Sequence, residues 1–145
     1  AAAAVCGFTR EISFEGQAAI WLEHLARAGN PGAGPASPDT PDPKRLIRAM
    51  ADARLAGADP SDLAAWFHRT LADTVMRAAL EAAGRHGCST LVLSGGVWQN
   101  RLLHEAACRA APNSCEILLN RQTPANDGGI CLGQVALAAG TALES

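Results

Sequence analysis

No apolar stretch of this chain approaches the roughly 20 residues that a helix needs to cross a bilayer. No basic block and no acidic tail occurs either, and 12 basic against 14 acidic residues give a formal net charge of −2. Non-specific binding of nucleic acid therefore has no electrostatic support. The alanine-rich start has neither the basic flank nor the leucine-rich core of a signal peptide. These absences predict a cytoplasmic protein that binds neither membrane nor nucleic acid.

Cysteine pairs with metal-binding spacing are also missing. The five cysteines are odd in number, irregularly spaced and free of any Cys-x-x-Cys pattern. We predict that they are reduced thiols, mostly buried as small hydrophobic side chains, rather than disulfides or zinc ligands. The four histidines are far apart, so they cannot supply the three or more converging ligands of a metal site by themselves.

The length of 145 residues suits a single domain with a real core. An initiator methionine is absent, and the chain opens in the middle of a pattern. We therefore expect residues 1–145 to be a piece of one domain of a longer protein.

Apolar spacing predicts a series of helices. Ser13 is expected to cap a helix that stops at Gly29, and further helices are expected at about 44–56, 59–86, 102–110 and 130–139. The predicted core-facing stripe of the longest helix consists of Leu63, Phe67, Leu71, Val75, Ala78, Ala79 and Ala82.

The segment 30–43 is rich in proline, glycine, alanine and small polar residues. Such a composition buries almost nothing, so we predict a flexible, solvent-exposed loop.

Two strands are expected, at 90–93 and 116–119, and they alternate with helices. This order predicts an α/β fold with a parallel sheet. Parallel strands normally lie among several neighbours, so we expect the other strands upstream of Ala1. The chain expressed alone would then expose an unpaired strand edge and self-associate.

Two glycine pairs follow these strands and carry most of the functional information. Gly95 and Gly96 lie between the first strand and a helix, and Gly128 and Gly129 lie behind Asp127 before the final helix. Glycine lets bare backbone approach a ligand, and a helix N-terminus attracts anions. Because parallel strands end at the same edge of a sheet, the two turns predict one shared ligand site.

Four motifs together give a family resemblance: residues 14–19 (FEGQAA), 67–68 (FH), 94–101 (SGGVWQNR) and 126–134 (NDGGICLGQ). In this order they resemble the C-terminal end of HypF-type carbamoyltransferases, which mature nickel–iron hydrogenases. That domain is similar to the tRNA threonylcarbamoyl transferases and shares the fold of actin, Hsp70 and sugar kinases. The resemblance implies a partial lobe of that fold, with helices covering a mostly parallel sheet that is incomplete in this chain.

The resemblance also implies an activity. Carbamoyl phosphate and ATP would yield carbamoyl-adenylate, and the carbamoyl group would pass to the C-terminal cysteine of a HypE-type acceptor protein. The first lobe, with the histidines that hold a divalent metal, has no counterpart here. We therefore expect this chain alone to be inactive, and we assign it no catalytic residue.

The family motifs imply nucleotide binding at Glu15, Gly16, Gly95, Gly96 and Asn100, and metal binding at Asp127. The residues themselves also allow structural roles. Glu15 would complement a helix dipole, the Gly95–Gly96 pair would form a tight turn, Asn100 would bond backbone in a first helical turn, and Asp127 would cap a helix.

Two neighbouring side chains have their own alternatives. Trp98 fits a core position better than a base-stacking position, and His68 fits a hydrogen-bonded interior histidine better than a catalytic base.

Two rival functions remain open. A tRNA threonylcarbamoyl transferase half is disfavoured by residues 15–19, where that family tends to have a Pro-Gly-Gly type of turn, and by the absence of a basic face. The other is a non-catalytic remnant that binds nucleotide or a partner protein without turnover.

Overall fold

The computed structural model describes residues 1–40 and 42–143. This part of the chain forms a mixed α/β fold of helices around a two-stranded parallel sheet. The elements are α1 (Ala2–Val5), α2 (Gln17–Ala26), α3 (Pro43–Leu55), α4 (Pro60–His86), β1 (Thr90–Leu93), α5 (Arg101–Ala110), β2 (Glu116–Leu119) and α6 (Ile130–Leu143). Both predicted strands and all five predicted helices are present, whereas the single turn of α1 was not predicted.

Local chemistry defines the ends of the longer helices. The Asp42 carboxylate accepts the Lys44 N–H at 2.9 Å before α3, and the Asp59 carboxylate accepts the Ser61 N–H at 2.7 Å before α4. Each aspartate precedes a proline at the first helical position, which has no N–H to satisfy. Gly87 ends α4 in a left-handed conformation, as its position in the sequence predicted.

The start of α2 differs from the prediction. Its N-cap is Gly16, with φ of 83°, rather than Ser13. The Ser13 N–H instead donates to the Gln17 side-chain oxygen at 2.7 Å. The predicted cap therefore binds the first helical residue from outside the helix.

Helix α4 is the centre of the molecule. Its first half packs against α1, α2 and α3, and its second half packs against α5 and β1. The predicted apolar stripe is confirmed only in part: Leu63, Phe67 and Leu71 pack in the core, but Ala78 is exposed. Partners on several sides bury Trp66, Ala72 and Met76 instead, and helical spacing alone does not reveal such partners.

The segment 30–40 lies against α4 instead of projecting away from it. Gly34 contacts the Trp66 ring so closely that a Cβ there would overlap the ring. Ser37 Oγ lies 3.1 Å from Oγ1 of Thr70, which is fully buried. None of its described residues is fully buried, as the composition predicted, but the segment covers this part of the helix.

The two faces of the sheet differ. The strands pair in register, with Leu91 opposite Ile117 and Val92 opposite Leu118. Side chains from alternate positions, Leu91 and Ile117 among them, pack against a hydrophobic cluster between α4, α5 and the sheet. This α4–α5 cluster consists of Ala72, Met76, Leu93, Leu103, Ala106 and Ala107. Val92 and Leu118 face the other way and are 66% and 45% exposed. One face of the sheet is therefore uncovered.

Helix α6 is also uncovered, and its apolar residues Ile130, Leu132, Val135 and Leu137 are all exposed. Among the described residues, its main contact is with the short turn that precedes it. Within the described residues, no helix combines the length and apolarity needed to traverse a bilayer.

The cysteines are free thiols, but the prediction that most are buried is wrong. Only Cys6 lies in the core, where desolvation raises its pKa to about 11. Cys88, Cys108 and Cys131 are exposed, because they fall at a strand approach, on the outer face of α5 and on the uncovered α6.

Candidate functional site

The two glycine turns meet at the carboxyl ends of β1 and β2. The Gly95 N–H donates to the Ala125 carbonyl oxygen at 2.7 Å, which joins the turns through their backbones. Gly95 has φ of 101°, a conformation that residues with a Cβ rarely adopt. A Cβ at Gly96 would lie 3.6 Å from Cβ of Asn126 on the opposite turn. The sequence predicted that these turns converge, and the structure brings them together.

The first turn does not lead directly into a helix. A short 3-10 turn, Gly96–Gln99, comes first, and α5 begins after Asn100. The Asn100 side-chain oxygen accepts the Leu103 N–H at 3.0 Å and so caps α5. The first-turn structural role that the sequence allowed for Asn100 is therefore present.

The amide of Asn100 has a second partner that the sequence did not reveal. Its Nδ2 lies 2.9 Å from Nε2 of His68, and Nδ1 of His68 lies 2.8 Å from the Ala64 carbonyl oxygen. His68 is only 5% exposed, which confirms the interpretation as a hydrogen-bonded interior histidine. Burial lowers the pKa of His68, and the Ala64 hydrogen bond and the nearby Glu23 carboxylate offset this only in part.

Asp127 lies in the second turn, one position past the helix cap. Asn126, not Asp127, is the cap, and its side-chain oxygen accepts the Gly128 N–H at 3.1 Å. Asp127 is exposed in the short 3-10 turn Asp127–Gly129 that leads into α6. Its predicted capping role is thus wrong by one residue, which leaves the carboxylate available to a ligand.

At the two turns, Asp127 is the one carboxylate that we predict as a metal ligand. Among residues 1–40 and 42–143, no group of three or more His, Cys, Asp or Glu side chains is placed to hold a metal. Asp127 can contribute one hard oxygen ligand, and the remaining ligands would have to be phosphate oxygens or groups outside these residues.

Glu15 and Gly16 lie at the start of α2. They precede α2, which packs on α4 and α1. Glu15 is exposed, and among the described residues neither of the two forms a hydrogen bond to the turns. Their role in nucleotide binding stays a prediction.

A cleft of about 380 Å³ lies beside the two turns, and Trp98 is one of its lining residues. His104 and Arg121 also line it, and the sequence gave neither of them a role. Nε2 of His104 is buried and has no hydrogen-bond partner among the described residues. Trp98 packs on the α4–α5 cluster, as its core interpretation predicted. In the sequence, two signals point to this cleft: the apolar spacing of α5, and the position of Arg121 directly after β2.

A larger cavity, of about 530 Å³, lies between α1, α2, α3 and α4. Its walls are mostly alanine, leucine, isoleucine and proline side chains. Few polar groups converge there, so its size does not make it the better candidate site.

Comparison with known proteins identifies close relatives. The family model described as carbamoyltransferase, Kae1-like domain, second subdomain, matches residues 1–134. Carbamoyltransferase HypF of Rhizobium leguminosarum bv. viciae is 40% identical over 142 residues, which are 95% of this chain and 18% of that protein.

Solved structures agree with this match. HypF of T. kodakarensis superimposes with a TM-score of 0.81 at 26% identity, over 98% of this chain and 19% of that one. Full-length HypF in its phosphate- and nucleotide-bound form gives a TM-score of 0.82 at 32% identity, over 99% and 20%. The chain thus spans 18–20% of the length of these three proteins.

Proposed function

Because this chain belongs to the HypF family of carbamoyltransferases, we propose that it forms the nucleotide-binding part of a carbamoyltransferase domain. The complete enzyme would use carbamoyl phosphate and ATP to carbamoylate the C-terminal cysteine of a HypE-type acceptor during nickel–iron hydrogenase maturation. A cytoplasmic location is part of this proposal. The chain by itself would bind nucleotide without completing the transfer.

The observation that carries the proposal is the backbone hydrogen bond from Gly95 to Ala125 at 2.7 Å. It places two glycine turns side by side at the carboxyl edge of a parallel sheet, where α/β folds usually bind nucleotides. The similarity to the structure of a full-length HypF in its phosphate- and nucleotide-bound form also supports a nucleotide as the ligand.

Each residue of the site would bind or orient rather than react. Gly95 and Gly96 would let the adenosine approach the backbone, and Asn100 would offer its second amide hydrogen to a ribose hydroxyl or the adenine edge. The attacking thiol would come from the acceptor protein, so this chain would contribute by positioning the donor.

Asp127 would be one ligand of a divalent metal that, when bound, supplies positive charge next to the phosphate oxygens. Its exposure after Asn126 has taken the capping role fits this assignment. Glu15 and Gly16 belong to the proposal through the family motif alone, which implies that they contact the ribose.

Calorimetric binding of a non-hydrolysable ATP analogue, AMP-PNP, with and without Mg²⁺, tests the proposal. We expect Asn100→Ala to weaken binding under both conditions, and Asp127→Ala to weaken it only when Mg²⁺ is present. Asp52→Ala, which removes an exposed carboxylate of α3, is the matched control and should change neither affinity. Unchanged affinities in both site variants would refute the assigned roles.

A further inference from the structure

His68 connects the central helix to the candidate nucleotide site with both of its ring nitrogens. It belongs to the first half of α4 and is 32 residues from Asn100 in the sequence. Its Nδ1 lies 2.8 Å from the Ala64 carbonyl oxygen, and its Nε2 lies 2.9 Å from the Asn100 side-chain nitrogen. Local sequence gave the histidine no role beyond filling the interior.

His68 and Asn100 form a series of hydrogen bonds that ends at two backbone groups, the Ala64 carbonyl and the Leu103 N–H. These two groups determine which atom donates at each step. A carbonyl oxygen can only accept, so Nδ1 of His68 carries the proton and Nε2 of the neutral ring accepts from Asn100. The Leu103 N–H can only donate, so the Asn100 amide turns its oxygen toward α5 at 3.0 Å. Each group in the series has one orientation that satisfies its neighbours.

We propose that His68 is the positioning residue of the nucleotide site: it holds the Asn100 amide, and with it the start of α5, in the orientation that receives adenosine. This inference rests on the proposed function, because Asn100 is a nucleotide contact only there. The Gly95–Ala125 hydrogen bond extends the same arrangement to the second turn. A histidine of α4 thereby acts on a ligand that it does not touch.

The first test follows the Asn100 side-chain amide by NMR in the 145-residue chain. His68→Leu fills a similar volume without an acceptor, whereas His68→Gln can offer an amide oxygen. We expect the Asn100 amide hydrogens to exchange faster with solvent in His68→Leu and to recover protection in His68→Gln. Thr74→Val is the control, because Thr74 is buried on the same helix and its hydroxyl donates to the Thr70 and Leu71 carbonyl oxygens rather than to Asn100.

The unmodified chain provides the same test without substitution. Protonation of His68 at low pH turns its acceptor into a donor, so the Asn100 side-chain resonances should shift with the same midpoint as the His68 ring. The other charged groups around His68 are Glu23, Arg27, Arg69, Asp73 and Arg109. A midpoint that follows one of the carboxylates instead would overturn the inference.

The second test measures AMP-PNP affinity in the same variants. Loss of one hydrogen bond that orients Asn100 should weaken binding about threefold to tenfold in His68→Leu. His68→Gln should recover most of the affinity, and Thr74→Val should match the unmodified chain.

The outcomes separate the two proposals. If the Asn100 resonances and the affinity are unchanged in His68→Leu, the positioning role fails while nucleotide binding stands. If the unmodified chain binds no AMP-PNP, the proposed function fails, and the nucleotide role of His68 fails with it.

Discussion

Asn100 uses both ends of its side-chain amide, and its substitutions separate the two contacts. Asn100→Asp keeps an oxygen for the Leu103 N–H but places a second oxygen opposite Nε2 of His68. Only a protonated ring can donate to that oxygen, so we expect the pKa of His68 to be higher in this variant than in the unmodified chain. NMR titration of the His68 ring measures the change.

Asn100→Ala is the control for that titration, since it removes both contacts. It should destabilise the fold by about 1 kcal/mol through loss of the α5 cap. It should raise the pKa of His68 less than Asn100→Asp does, because it removes the hydrogen bond to Nε2 without adding a negative charge. A His68 pKa in Asn100→Asp at or below that of the unmodified chain would contradict the direction assigned to the hydrogen bond.

The buried ring also makes stability depend on pH. Burial lowers the pKa of His68, so near neutrality the folded chain binds fewer protons than the unfolded chain. The stability due to neutral His68 is complete above the unfolded pKa, about 6.5, and is lost as the pH falls through the folded pKa. We expect urea unfolding to show a falling free energy of unfolding across this window.

His68→Leu should have a flatter pH profile in the same urea experiments, because it has no ring to protonate. Equal slopes for this variant and the unmodified chain would assign the pH dependence to the surrounding carboxylates instead.

For individual residues, the sequence identified which side chains are of interest but not which other residues they contact. Asn100 was recognised as a candidate ligand and His68 as an interior histidine, yet 32 positions separate them, and no periodicity connects a helix to a distant cap. The adjacency of Gly95 and Ala125 could be predicted because it follows from parallel pairing of the two strands.

Among the elements, helix ends and strands were predictable because their signals are local. Asp42 and Asp59 before prolines, and Gly87 after a long apolar pattern, act on their immediate neighbours. The burial of α4 was not predictable, because it depends on which elements lie around the helix. The loop 30–40 is one of them, and a composition poor in apolar residues concealed its contact with Trp66.

That contact predicts opposite effects for two glycine substitutions. Gly34→Ala would force a methyl group into the Trp66 ring, so we expect destabilisation of about 1–3 kcal/mol. Gly84→Ala lies within α4 with open space around it, and higher helix propensity should stabilise the chain by up to about 1 kcal/mol. Thermal unfolding of the pair compares them directly, and a neutral Gly34→Ala would mean that the loop moves away from the helix without cost.

For the whole molecule, the uncovered sheet face and α6 present apolar surface to water. Val92 is 66% exposed and Leu118 45%, next to an edge of the sheet that has no further strand among the described residues. Such surfaces favour association. The prediction that the chain self-associates, made from the small number of strands, thus has a structural basis.

Substitution of that face tests the prediction. We expect the unmodified chain to associate in sedimentation velocity experiments and to bind the dye ANS, and Val92→Thr with Leu118→Thr to reduce both while retaining strand-forming side chains. Leu55→Ser removes a leucine that is 88% exposed at the end of α3, and serves as the control that should change neither. A monodisperse monomer without dye binding would count against association through this face.

Leu71 packs against two hydrophobic clusters. One lies between the first half of α4 and helices α1, α2 and α3, and the other is the α4–α5 cluster. Because the same helix is a wall of both, neither half can lose its structure without exposing the core of the other. The two halves should consequently melt in one cooperative transition, with the amide hydrogens around Leu71 as the last to exchange. A nucleotide bound at the glycine turns would then protect α1 and α3 as well, although it touches neither.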